Sequence, residues 1–160
     1  MRRLSHRVSH LVKRFWWAVS AKPVTPEDRM WVESNLRPGE LALFDRMSRA
    51  DQEHHLRVAR RFVAGFESAA APDRAWVAAA LMHDVGKLVC GLGTFGRVLA
   101  TLWPFGRRGD GRIGRYYRHV AIGAALVREA GSDPVTVSLV GEWPDAPRVA
   151  AAALHRADDL

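Results

Sequence analysis

The side chains of this 160-residue chain best suited to chemistry are a small set of histidines and aspartates. His54 lies four residues before Val58, His83 and Asp84 are adjacent, and Asp158 and Asp159 close the last helical segment. Imidazole nitrogens mixed with carboxylate oxygens suit Mn, Fe, Co, Ni, Zn or Mg rather than a soft metal, and a protein shell this small leaves room for water. Neighbouring residues on a regular helix point about 100° apart. His83 and Asp84 therefore share one ion only where their helix ends and both lean into a gap between helices. Gly86, two residues on, allows that.

Helices must deliver these residues. Thr25 with Pro26 and Asp28 resembles a helix start, with a capping hydroxyl, a first-turn proline and an acid at the positive end of the dipole, and the helix should run to about Leu36. Pro38, Gly39 and Glu40 break it, and Leu41 to Met47 begins another. From Asp51, read as the cap, Leu56, Val58, Ala59, Phe62, Val63 and Phe66 mark a long amphipathic helix carrying His54. Pro72 and Asp73 open an alanine-rich helix whose Trp76, Val77, Ala80 and Leu81 form a core-facing stripe leading to His83 and Asp84. Gly91 to Gly114 should be a mobile loop enclosing a short helix at Leu99, Leu102 and Trp103. Arg115 to Ala130 is helical and stops at Gly131, Asp133 and Pro134 start a helix through Val140, and Ala146 to Asp159 forms the last. No segment sustains a period of two with turn punctuation. The fold class is all α, a compact helical bundle.

Composition limits what such a bundle does. Nearly half the residues are hydrophobic and 26% are charged, which excludes a disordered chain, and every apolar run is too short to span a bilayer. One cysteine, Cys90, supplies neither an intrachain disulfide nor the cysteine pairs of a structural zinc site; it reads as a buried small residue. The net charge of +7 is concentrated in residues 1–22 and between Arg97 and Arg118, which favours phosphate-bearing partners. In residues 1–20, Leu4, Val8, Leu11, Val12, Phe15, Trp16 and Val19 lie at steps of three and four with basic residues between them. This N-terminal amphipathic helix either docks on the body of the protein or lies peripherally on an anionic membrane. Its apolar stretch is too short for a signal peptide, and the chain is read as cytoplasmic. Nucleic acid is a less favoured partner.

The segments His54-His55-Leu56-Arg57-Val58-Ala59, Leu81-Met82-His83-Asp84-Val85-Gly86-Lys87 and Ala157-Asp158 resemble, in order, the three signatures of the HD-domain superfamily of metal-dependent phosphohydrolases. The likeness covers roughly residues 45–159. It divides the chain into an N-terminal basic helix and helical extension, residues 1–44, and an HD-type domain, residues 45–160. The resemblance implies one divalent ion held by His54, His83, Asp84 and Asp158, and hydrolysis of a phosphorylated small molecule such as a nucleotide. His54 is preferred to His55 for its four-residue step to Val58, and Asp158 to Asp159 because it follows alanine.

The same resemblance assigns Asp84 to orienting water, and makes His119, in Arg118-His119-Val120-Ala121-Ile122-Gly123-Ala124, a contact to phosphate or a proton donor. Lys87, Arg107, Arg108 and Arg112 become substrate-binding cations, although Lys87 equally suits the negative end of its helix. The histidine pair that completes a second ion site in binuclear members is missing from Val137 to Trp143, so a mononuclear centre is expected. His155 is expected at the surface or behind the ligands. The tryptophans suit packing better than base stacking. The competing functional reading is a catalytically inactive HD-type regulatory or binding module on an anionic membrane or nucleic acid.

Overall fold

Six consecutive residues, Val77 to Met82, are buried on every face, and the bundle is organised around them. The computed structural model describes residues 23–66, 71–90 and 118–159. Among these, the helices are α1 (Pro26–Asn35), α2 (Pro38–Asp45), α3 (Arg49–Ala64), α4 (Arg74–Met82), a 3-10 helix (Val85–Cys90), α5 (His119–Glu129), α6 (Pro134–Val140) and α7 (Arg148–Asp158). There is no strand among the described residues, and no helix of theirs is long and apolar enough to cross a membrane. The protein is an all-α, compact helical bundle.

Helix α4 is the central element, packed on α3 and α6 and touching α1 and α2; α7 lies along α3, and α5 covers the 3-10 helix and α6. The expected stripe on α4 is too narrow, because Ala78, Ala79 and Met82 are buried as well. A short helix of alanines admits neighbours on all sides, and one that is apolar all round belongs inside. Val32, Leu36, Leu43 and Phe44, from α1 and the residues after it, join the same core as Phe62, Leu81 and Val140. Cys90 is fully buried in it.

Several helix starts fall where local chemistry places them. The Thr25 side chain caps Asp28, Asp73 caps Ala75 and Asp133 caps Val135. Two starts differ. Helix α3 begins at Arg49 with Ser48 as its cap, its hydroxyl accepting from the Asp51 N–H at 3.2 Å, so Asp51 lies in the first turn instead of capping it. Pro38, Gly39 and Glu40 open α2 rather than interrupting the chain: proline suits a first turn, and the buried Glu40 carboxylate reaches back to the Arg37 N–H at 2.7 Å. Ser48→Ala should destabilise the protein by about 1 kcal/mol, read as a lower urea midpoint at unchanged slope.

The N-terminal helix of residues 1–20, the loop with its short helix at Leu99, Leu102 and Trp103, and Arg107, Arg108 and Arg112 lie outside the described residues. The helix expected from Arg115 is described from His119 on, and the last helix begins two residues later than expected, at Arg148.

Candidate metal centre

Three helix segments meet where the chemistry-bearing residues lie. Helix α3 carries His54, the turn after α4 carries His83 and Asp84, and α7 ends at Asp158. The His54 Nε2 atom is 3.4 Å from Asp158 Oδ1, and His83 Nε2 is 3.6 Å from that oxygen and 3.6 Å from Asp84 Oδ2. Donor atoms of His54, His83 and Asp84, one from each, lie within 4.8 Å of one another, so this group has the spacing to hold a metal ion. Asp158 adds a carboxylate on its open side: its side chain is 39% exposed against 9% for His83.

The position of α4 explains the convergence. Its last apolar residues bury the backbone, and the chain leaves the regular helix at Met82, entering the 3-10 turn at Val85. His83 and Asp84 fall in that change of geometry, which releases them from the helical 100° separation. His83 Nδ1 donates to the Ala80 carbonyl at 3.0 Å, which leaves Nε2 as the atom facing Asp84 and Asp158. His55, the neighbour of His54, faces inward instead. Its Nδ1 meets the Leu81 carbonyl at 2.7 Å, and its ring packs 4.6 Å from that of His83. It buttresses the centre, a role the sequence reading does not identify. Arg57, one turn along α3, donates from Nη2 to His54 Nδ1 at 3.3 Å. That contact places the hydrogen of a neutral His54 ring on Nε2, so coordination through Nε2 requires it to move to Nδ1 and Arg57 to turn aside.

Asp84 is clasped from three sides. Lys87 Nζ contacts Oδ2, which also faces His83, while His119 Nε2 stands 3.2 Å from Oδ1. Lys87 therefore pairs with a carboxylate in the centre, where the sequence offered a helix end or a phosphate. His119 reaches Asp84 because α5 approaches the 3-10 helix closely. A Cβ on Gly86 would come 1.9 Å from the His119 carbonyl oxygen. That contact, more than any loosening of the helix end, requires glycine at position 86. His155 is exposed on α7.

The electrostatics follow from burial and crowding. Burial lowers the His54 pKa below its ordinary 6.5, and burial with the neighbouring His83 and His54 lowers His55 to about 3. Burial acts on His83 in the same direction, but Asp84 and Asp158 outweigh it and raise its pKa above 6.5. For Asp84, burial favours the neutral acid, yet Lys87, His83 and His119 prevail and hold it well below the usual carboxylate range. The imidazoles of His54 and His83 keep Asp158 low too.

These directions fix the sign of a pH effect on the metal-free protein. As pH falls below 6.5, His54 and His55 take up protons in the unfolded chain but resist them in the fold, and stability is lost. As pH rises above 6.5, the stability contributed by His83 is lost through its raised pKa. The urea midpoint should therefore peak near pH 6.5; a flat midpoint from about pH 5 to about pH 8 would contradict this linkage.

The residues fit a divalent ion by two measures. His54 Nε2 and His83 Nε2 are both buried without a hydrogen-bond partner, an expensive condition for polar atoms that an ion would relieve. Donor atoms about 2.1 Å from one ion stand roughly 3.0–3.5 Å apart; three of the pairs stand at 3.4–3.6 Å, and the donors of His54, His83 and Asp84 all lie within 4.8 Å of one another, so an ion would draw them together. No protein-family model, no curated protein and no solved structure matches the chain, so the reading of this centre rests on its own geometry.

Proposed function

We propose that the chain is an HD-type metal-dependent phosphohydrolase acting on a phosphorylated small molecule, with nucleotides the first class to test. The observation that carries this reading is the convergence of two buried imidazole nitrogens, neither of them in a hydrogen bond, on the carboxylates of Asp84 and Asp158. His54, His83, Asp84 and Asp158 would hold one divalent ion. Such an ion, when bound, lowers the pKa of a coordinated water and polarises a phosphoryl oxygen.

The chain's own residues supply the rest. Asp84 holds and orients the reacting groups from the buried side, steadied through Oδ1 by His119. Lys87 supplies a cation beside Asp84 to offset the negative charge that gathers on phosphoryl oxygens. His119, at the start of α5, touches Asp84 and remains 24% exposed, so it can pass a proton to a leaving oxygen. Asp158, the most exposed of the ligands, marks the side from which substrate enters.

The test is turnover of a panel of phosphomonoesters, phosphodiesters and nucleotides with Mn, Co, Ni or Mg added. Metal-dependent hydrolysis that disappears in Asp84→Asn, read as released phosphate for monoesters and as released alcohol for diesters, is the expected result. Metal retention without turnover across the panel would overturn the hydrolase reading and favour a binding module.

A further inference from the structure

The oxygen of Asp84 best placed for a metal is already taken. Oδ2 faces His83 Nε2, the unpartnered nitrogen, at 3.6 Å, and the Lys87 ammonium sits on that same oxygen. The other oxygen, Oδ1, is committed to His119. Lys87 is not a tethered surface cation: its side chain is 14% exposed and that of Asp84 9%. The backbone fixes its root as well, because the Lys87 N–H donates to the Asp84 carbonyl at 3.0 Å in the first turn of the 3-10 helix. Beyond that root lies the flexible four-carbon stem of a lysine.

We infer, resting on the metal-centre reading above, that Lys87 is a built-in competitor of the divalent cation: it neutralises Asp84 in the metal-free protein and must leave Oδ2 for an ion to share that oxygen with His83. Two cations on one oxygen repel strongly in a buried site, while a carboxylate buried without any partner is destabilising. One position on Asp84 thus alternates between lysine and metal. Metal entry then frees an ammonium within the same turn of chain, next to the centre, where it can engage an anionic phosphate. The arrangement weakens metal binding in the absence of substrate and makes binding of metal and of phosphate mutually supportive.

The experiment is titration of the full metal-free chain with Mn(II) by calorimetry, without substrate, for the wild type, Lys87→Met, Lys87→Gln, Lys87→Arg and His83→Ala, with thermal melts of each. Lys87→Met should bind Mn(II) on the order of tenfold more tightly than the wild type. Its metal-free form should melt lower, and saturating Mn(II) should raise its Tm by more than it raises that of the wild type. Lys87→Arg, which keeps the charge, should show no such gain. Lys87→Gln serves in place of the Met variant if the latter does not fold.

Equal or weaker Mn(II) binding in both Lys87→Met and Lys87→Gln overturns the competition, and if His83→Ala still loses Mn(II), the metal centre stands without it. Mn(II) binding by Lys87→Met alone, with none in the wild type, supports the competition and removes the basis for a metal-loaded wild-type enzyme. No binding in any variant overturns both. A lysine that only contacts substrate phosphate would leave the substrate-free Mn(II) affinity unmoved.

Discussion

Alanine at His83 should weaken divalent-ion binding by about a hundredfold or more, and the proposed metal-dependent turnover should fall with it. The reason is position more than ligand count. Among the described residues, His83 Nε2 is the one imidazole nitrogen within 3.6 Å of both Asp84 and Asp158, so its removal disconnects the carboxylate of the α4 turn from that of α7. It also leaves a void beside His55, whose ring packs against it. Dialysis against excess metal followed by elemental analysis reads the result. Full stoichiometric retention by a folded His83→Ala protein would show that the ion lies elsewhere. His155→Ala, on the exposed face of α7, is the comparison that should leave retention unchanged.

Gly86→Ala should be among the most destabilising single-methyl additions in the described part of the chain. The new Cβ would meet the His119 carbonyl oxygen at 1.9 Å and the Gly123 nitrogen at 2.7 Å, and both are backbone atoms that cannot rotate away. Helix α5 must then shift off the 3-10 helix. Overpacking of this kind costs about 3 kcal/mol, or roughly 10 °C in Tm for a chain of this length. Because α5 carries His119 to Asp84, the same shift should weaken that contact and lower the proposed turnover beyond the loss of folded protein. Gly131→Ala provides the contrast: its φ of 77° is unfavourable for a side chain, but nothing lies within 4 Å of the added atom, and about 1 kcal/mol of strain is all that is expected. Similar melts for the two variants would refute the contact as the cause.

How much of this was legible beforehand depends on how local the physics is. Thr25 with Pro26, Asp73, and Asp133 with Pro134 mark helix starts because a cap is settled within three or four residues. Ser48 and Asp51 are both good caps one turn apart, and local preference could not choose between them. Pro38 is ambiguous in the same way, since proline ends one helix and opens the next. The histidine and aspartate set was visible as residue types suited to one ion, but types alone do not say which side chains meet. His54 and His55 are neighbours on α3, and only the packing of α3 against α4 and α7 turns one toward Asp158 and the other onto the Leu81 carbonyl.

By itself, then, the sequence determined that this is a helical bundle, where most of its helices begin, and which few residues are chemically able to hold a cation, because capping, periodicity and ligand type act over one or two turns. Tertiary structure alone decided that α4 is buried all round, that Gly86 is needed for the approach of α5, and that Lys87 and His119 divide the two oxygens of Asp84 between them. His119 is 35 residues from Asp84 along the chain. No local rule spans that distance; contact between them exists only once the surrounding helices have closed around the core.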